Sequence, residues 1–132
     1  MVEKNANDLK GKTGLIRLMN ATRYSFDGIR QAWKSEEAFR QEASLALILI
    51  PLSFFLPVAL SLRLLCLFSV IFVLVVELLN TGIEAAIDRI GPEIHPKSKF
   101  AKDAASAAVL FSLFFCAATW ISTLLIIFEE MT

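Results

Sequence analysis

Three long apolar blocks alternate with segments of mixed polarity along the chain. The first, Ala43–Leu62 (ASLALILIPLSFFLPVALSL), carries no charge. A second runs from Leu64 to about Ile87 and admits Glu77, Asn80 and Glu84, with Asp88 just beyond. The third, Ala104–Phe128, is again uncharged. Each is long enough to cross a bilayer core as a helix, which takes about 20 residues. Pro51 and Pro57 are compatible with a membrane helix or its end, because neighbouring groups can satisfy the freed carbonyls. Ahead of these blocks, Leu15, Leu18, Met19, Phe26, Ile29 and Trp33 recur at helical spacing, with Arg17, Asn20, Arg23, Asp27 and Arg30 on the other side. That pattern predicts an amphipathic helix lying on a membrane surface.

The expected architecture is an all-α membrane protein forming a single domain over residues 1–132. It comprises a surface helix over about 14–34 and transmembrane helices over about 36–62, 64–90 and 101–128. Ser35 is the expected N-cap of the first transmembrane helix, with Glu36 and Glu37 favouring its first turn. The small residues Ala104–Ala108 predict close helix approach.

Composition agrees: 56% of the 132 residues are hydrophobic, eleven of them Phe, more than a soluble domain of this size can hide. Cys66 and Cys116 sit in apolar surroundings and are expected to be small buried residues without a disulfide. The net charge is zero, but basic residues crowd before the first block and between the second and third, leaving only Arg63 elsewhere. Lysine and arginine near span ends stay cytoplasmic. The N-terminal segment and the Arg89–Lys102 loop are therefore expected in the cytosol, with Arg63 and the acidic C-terminal end outside. No basic stripe with interleaved aromatics suggests nucleic acid, and the first block lies too far in for a cleaved signal peptide.

An ionised carboxylate in hydrocarbon costs about 2.5–3.5 kcal/mol even on insertion scales. Glu77 lies roughly 20 Å along a helix that starts near Leu64, past the midplane and nearer the cytosol. At about 100° per residue, Glu84 and Asp88 lie within about 20° of Glu77 on either side, and Asn80 about 60° away. The four make one polar seam descending from the cytosolic surface. Carboxylates at that depth beside basic surface groups suit phosphoryl transfer, which needs divalent cations, cationic groups near the phosphates and often a base for the incoming hydroxyl. None of the glycine-rich loops or catalytic triplets of the common soluble kinases is present.

Three stretches, VELLNTGIEAAIDRIG, SEEAFRQE and AKDAASAAV, together resemble the small integral-membrane diacylglycerol kinases of bacteria, from about Arg17 to about Trp120. The resemblance implies a homotrimer in the inner membrane with active sites shared between protomers, transferring the ATP γ-phosphate to diacylglycerol with Mg2+. Close relatives accept undecaprenol instead. It makes Glu77 the catalytic base, Glu36 and Glu84 the metal-binding carboxylates, and Asn80 a positioning group near Glu77. Arg17, Tyr24, Glu36, Glu84, Glu93, His95, Lys102 and Asp103 become nucleotide-binding, and Ser106 and Trp33 lie near the lipid substrate. Two departures stand out: Phe26 where a Trp is usual, and KSKF at 97–100 in place of a turn containing Gly and Arg.

The plainer readings are structural. Glu77 could pair with a neighbouring helix, Asp88 with a nearby basic residue, and Glu36 and Glu37 with a helix dipole. His95 could be an ordinary loop histidine and Arg17 a leaflet anchor, while Trp33 and Trp120 could be interface anchors. A non-enzymatic alternative is an ion or proton relay through Glu77 and Glu84. A relay wants ionisable groups spread through the membrane depth, whereas these gather in the cytosolic half.

Overall fold

The computed structural model describes residues 13–132 and consists of four helices joined by short connections. Lys4, Lys10 and Lys12, part of the basic segment expected in the cytosol, lie outside the described residues.

Helix α1 (Leu15–Ser35) is amphipathic and almost wholly exposed, with Ala32 its one buried residue. Ser35 does not cap the next helix. It is the last residue of α1, and its hydroxyl donates to Gln31 O at 3.0 Å, the back-bonding open to serine inside a helix. Glu36 takes the N-cap position instead, with extended backbone (φ −110°, ψ 114°).

Helix α2 (Glu37–Phe55) has Pro51 within it and ends earlier than the apolar block that encodes it. Proline disfavours helical conformation in the residue before it, and Leu56, ahead of Pro57, is extended (φ −62°, ψ 133°). Leu60–Leu62 therefore belong to the next helix. Arg63 closes this corner. Its Nε donates to Val58 O at 3.0 Å and its Nη1 to Phe54 O at 3.3 Å. The cation thus meets one carbonyl in the last turn of α2 and one in the connection after it.

Helices α3 (Leu60–Ile90) and α4 (Pro96–Met131) are 31 and 36 residues long. At about 1.5 Å per residue both exceed a hydrocarbon core of about 30 Å, so each must extend beyond it. They make the most extensive packing in the molecule. α4 begins before its apolar block because His95 caps it and Pro96 occupies a first-turn position, where its missing N–H is harmless.

The side-chain distribution is inverted relative to a protein in water. Leu47, Phe55, Phe111, Phe114 and Ile94 are exposed, while the largest fully buried side chains are Thr123, Cys66, Ser53, Ser69 and Ser112. Lipid tails solvate large apolar groups as well as a protein core does, so close approach of small residues holds such helices together. The buried hydroxyls bond within their own helices: Ser53 to Ile50 O, Ser69 to Cys66 O and Ser112 to Val109 O at 2.7 Å, Thr123 to Thr119 O at 2.8 Å. Cys66 Sγ meets Thr123 Oγ1 across α3 and α4 at 3.4 Å, and both cysteines are free. Cys66 is buried; Cys116 is only half-buried.

Of the small residues Ala104–Ala108, Ala105 is the one buried within the chain. One expectation about α4 needs correction. Trp120 is no interface anchor. It is 8% exposed and packs with Ala46, Leu56, Cys66 and Val70, because it shares the inward face of Thr119 and Thr123.

Candidate active site

The inward face of α3 runs Cys66, Val70, Val73, Glu77, with half-buried Asn80 and Glu84 continuing it. Steps of three and four residues keep one stripe facing a partner helix. The stripe changes from apolar to acidic within a few turns. Glu77 is only 4% exposed, and Glu36, at the junction of α1 and α2, and Glu84 lie within electrostatic range of it. Two of the sequence-predicted acids thus converge on the third, from different elements.

The structure adds Glu42, on the inner face of α2 defined by Phe39, Ala46 and Ser53. Its carboxylate is also within electrostatic range of Glu77. It lines a cavity of about 40 Å³ whose other walls are Leu45, Ala46, Leu49, Val70, Val73 and Cys116. Glu42 lies in FRQE; the periodicity of Phe39, Glu42, Ala46 and Ser53 is the signal that would have found it.

Hydrogen bonding in the seam is incomplete. Asn80 Nδ2 donates to Glu84 Oε1 at 3.4 Å, so Asn80 orients Glu84 directly. Asn80 Oδ1, Thr81 Oγ1 and Glu42 Oε2 are buried without a partner among the described residues. Buried polar atoms are rarely left so, and these three cluster about one acid. Among the described residues no group of three or more His, Cys, Asp or Glu closes into a metal cage. Magnesium asks for less: one or two protein carboxylates, with waters and phosphate completing its shell. Glu84, with Asn80 hydrogen-bonded to it, and Glu36, within electrostatic range of the same Glu77, are carboxylates of the kind that requirement calls for.

A second concavity, of about 250 Å³, opens at the same end of the molecule. Asp88, Gly91, Glu93, His95, Lys99 and Lys102 line it. Gly91 ends α3 with φ 153°, a backbone value suited to glycine. His95 Nδ1 accepts the Lys97 N–H at 3.2 Å and so caps α4. Lys102 forms an ion pair with Asp88 across α3 and α4, and Lys99 pairs with Asp103 along α4. Glu93, His95 and Lys102, expected near nucleotide, therefore share one cavity, while Asp103 stands beside it.

Other expected residues stand apart. Arg17 and Tyr24 project from the exposed length of α1, and Ser106 from the outer face of α4. Trp33 is half-exposed near the end of α1. Among the described residues, no side-chain hydrogen bond or ion pair joins any of the four to the seam.

Comparison with known proteins shows the family to which the chain belongs. Residues 23–124 match the family model for prokaryotic diacylglycerol kinase. A diacylglycerol kinase of Pseudomonas aeruginosa is 47% identical over 116 residues, covering 88% of this chain and 94% of the relative. That of Haemophilus influenzae is 46% identical over 108 residues, covering 82% and 92%. The Escherichia coli K12 protein is 44% identical over 108 residues, covering 82% and 88%. With its buried glutamate on the central membrane helix and its three apolar spans, the chain belongs to the prokaryotic diacylglycerol kinase family.

Proposed function

We infer that this chain is a membrane diacylglycerol kinase: it moves a phosphoryl group from a nucleotide to the free hydroxyl of diacylglycerol, giving phosphatidic acid. The observation that carries the reading is Glu77, a carboxylate buried among membrane-spanning helices in a chain whose diacylglycerol kinase relatives match it over more than four-fifths of its length. We take the donor to be ATP and the metal Mg2+.

In this reading the lipid hydroxyl enters from the bilayer at the depth of Glu77, which accepts its proton as the oxygen attacks the γ-phosphorus. The nucleoside diphosphate leaves toward the cytosol. Mg2+, when bound, would offset the charge of the phosphates; Glu36 and Glu84 would hold it, with Asn80 keeping Glu84 in place through its hydrogen bond. Lys102 faces the phosphates from the neighbouring cavity, and Glu93 lines the wall opposite. Removing a general base costs roughly 10²–10⁴ in rate.

Arg17, Tyr24 and Ser106 reach a site only if a neighbouring chain supplies it. The apolar exposure of α2, α3 and α4 suits such packing, and we assign the working form to a homotrimer with sites shared between protomers. From the basic residues flanking the seam we read the N-terminus and the 91–103 loop as cytosolic and the C-terminus as lying outside the inner membrane. A relay is disfavoured because Glu36, Glu42, Glu77, Glu84 and Asp88 gather toward one end, whereas Arg63 at the other end is occupied with backbone carbonyls.

An acceptor comparison tests the reading. Purified chain in micelles receives γ-labelled ATP with Mg2+ and either diacylglycerol or undecaprenol. Strong transfer to diacylglycerol is expected. A preference for undecaprenol would overturn the acceptor, and transfer to neither would overturn the kinase.

A further inference from the structure

Helices α1 and α2 meet at one extended residue, Glu36. The end of α1 leaves carbonyls with partial negative charge and no helical partner. Glu36 N–H takes one of them, Ala32 O, at 2.8 Å. Arg40 takes the next two: its Nη1 donates to Trp33 O at 3.0 Å and to Lys34 O at 3.3 Å. Arg40 itself belongs to the first turn of α2, its own N–H bonded to Glu36 O at 3.2 Å. The guanidinium therefore reaches back across the elbow and ties α2 to the C-terminal end of α1, with Glu36 held between. Buried Ala32 and Phe39 lie on the two helices either side of the elbow. Although Glu36, Glu37 and Glu42 are near in sequence, Arg40 forms no ion pair with an acid among the described residues.

We propose that Arg40 is a positioning residue for the metal–nucleotide site: its clamp on the α1–α2 elbow holds the Glu36 carboxylate toward Glu77 and Glu84. This rests on the reading of Glu36 as a metal-binding carboxylate given above. Without the clamp, α1 pivots on a single extended residue and Glu36 is in place for only part of the time. Apparent affinity falls by the fraction of molecules that are competent, while turnover of the loaded complex is unchanged.

The test uses the full chain in micelles with saturating diacylglycerol, comparing Arg40→Met, Arg40→Lys, Glu36→Gln and the double variant Arg40→Met/Glu36→Gln. Arg40→Met keeps the apolar stem and removes the donors. It is expected to raise KM for Mg-ATP, and the Kd for Mg-ATP measured by direct binding without lipid, about tenfold, with kcat within about twofold. Arg40→Lys is expected to recover part of the loss. In the double variant the two effects should not add, because both act through one carboxylate. Additive effects, a loss confined to kcat, or unchanged kinetics in Arg40→Met would overturn the proposal. Should Arg40→Met fail to assemble, Arg40→Lys decides it, by a raised KM or an unchanged one. If Glu36→Gln leaves KM unchanged, the metal reading of Glu36 fails. If it raises KM while Arg40→Met does not, only the clamp fails.

Discussion

His95 makes a sharp test because one side chain carries two separable roles. The resemblance placed it against nucleotide. In the structure its Nδ1 accepts the Lys97 N–H at 3.2 Å and caps α4, the helix that carries Lys102. An N-cap contributes about 0.5–2 kcal/mol. The bond here is long and exposed, which puts it at the lower end, about 0.5–1 kcal/mol. If that energy governs how often the first turn of α4 is formed, losing it should raise KM for Mg-ATP about two- to fivefold, since 1.4 kcal/mol is tenfold. His95→Ala should show this rise. His95→Asn supplies one of the best capping side chains and should return KM to near the parent value. Steady-state kinetics with saturating diacylglycerol measures both. If His95→Asn is as impaired as His95→Ala, the imidazole itself is needed and the capping argument is wrong.

Three further outcomes follow from the geometry. Arg63→Met removes both donors from the α2–α3 corner and should cost about 1–3 kcal/mol of unfolding free energy, with kcat and KM intact because the corner is about 20 Å along α3 from Glu77; denaturant unfolding in micelles beside the kinase assay checks this. Trp120→Phe removes a buried N–H that has no acceptor among the described residues and should stay within about 1 kcal/mol of the parent, because the relief of that group offsets the smaller ring; Trp120→Ala, which opens a cavity, should be clearly less stable in the same experiment. Glu84→Gln should raise the magnesium requirement by about tenfold or more, read from initial rates across a magnesium titration at fixed ATP.

Much of the helical plan was legible because the physics behind it is local. Hydropathy marks the spans, and the spacing of Glu77, Asn80, Glu84 and Asp88 puts them on one face whatever packs against it. The misreadings arose where an outcome depends on a second element. Ser35 has the chemistry of an N-cap, but α1 continues through it and leaves that place to Glu36. Pro57 was tolerable by composition, yet its effect on Leu56 and the Arg63 clamp decides where α2 stops. Trp120 reads as an interface residue until its phase relative to Thr119 and Thr123 is known. Glu42 is signalled only by its helical spacing from Phe39, Ala46 and Ser53, and its significance rests on facing Glu77 of α3. Arg17, Tyr24 and Ser106 are exposed and stand apart from the seam, so no feature local to one chain ties them to it.

The central claim is that Glu77 accepts the proton of a lipid hydroxyl. The most direct measurement is Glu77→Gln, purified in micelles, with phosphoryl transfer from Mg-ATP to diacylglycerol and nucleotide binding followed on the same preparation. The account predicts turnover reduced by roughly 10²–10⁴ in a protein that still binds Mg-ATP. Turnover close to the parent value in that variant would contradict it.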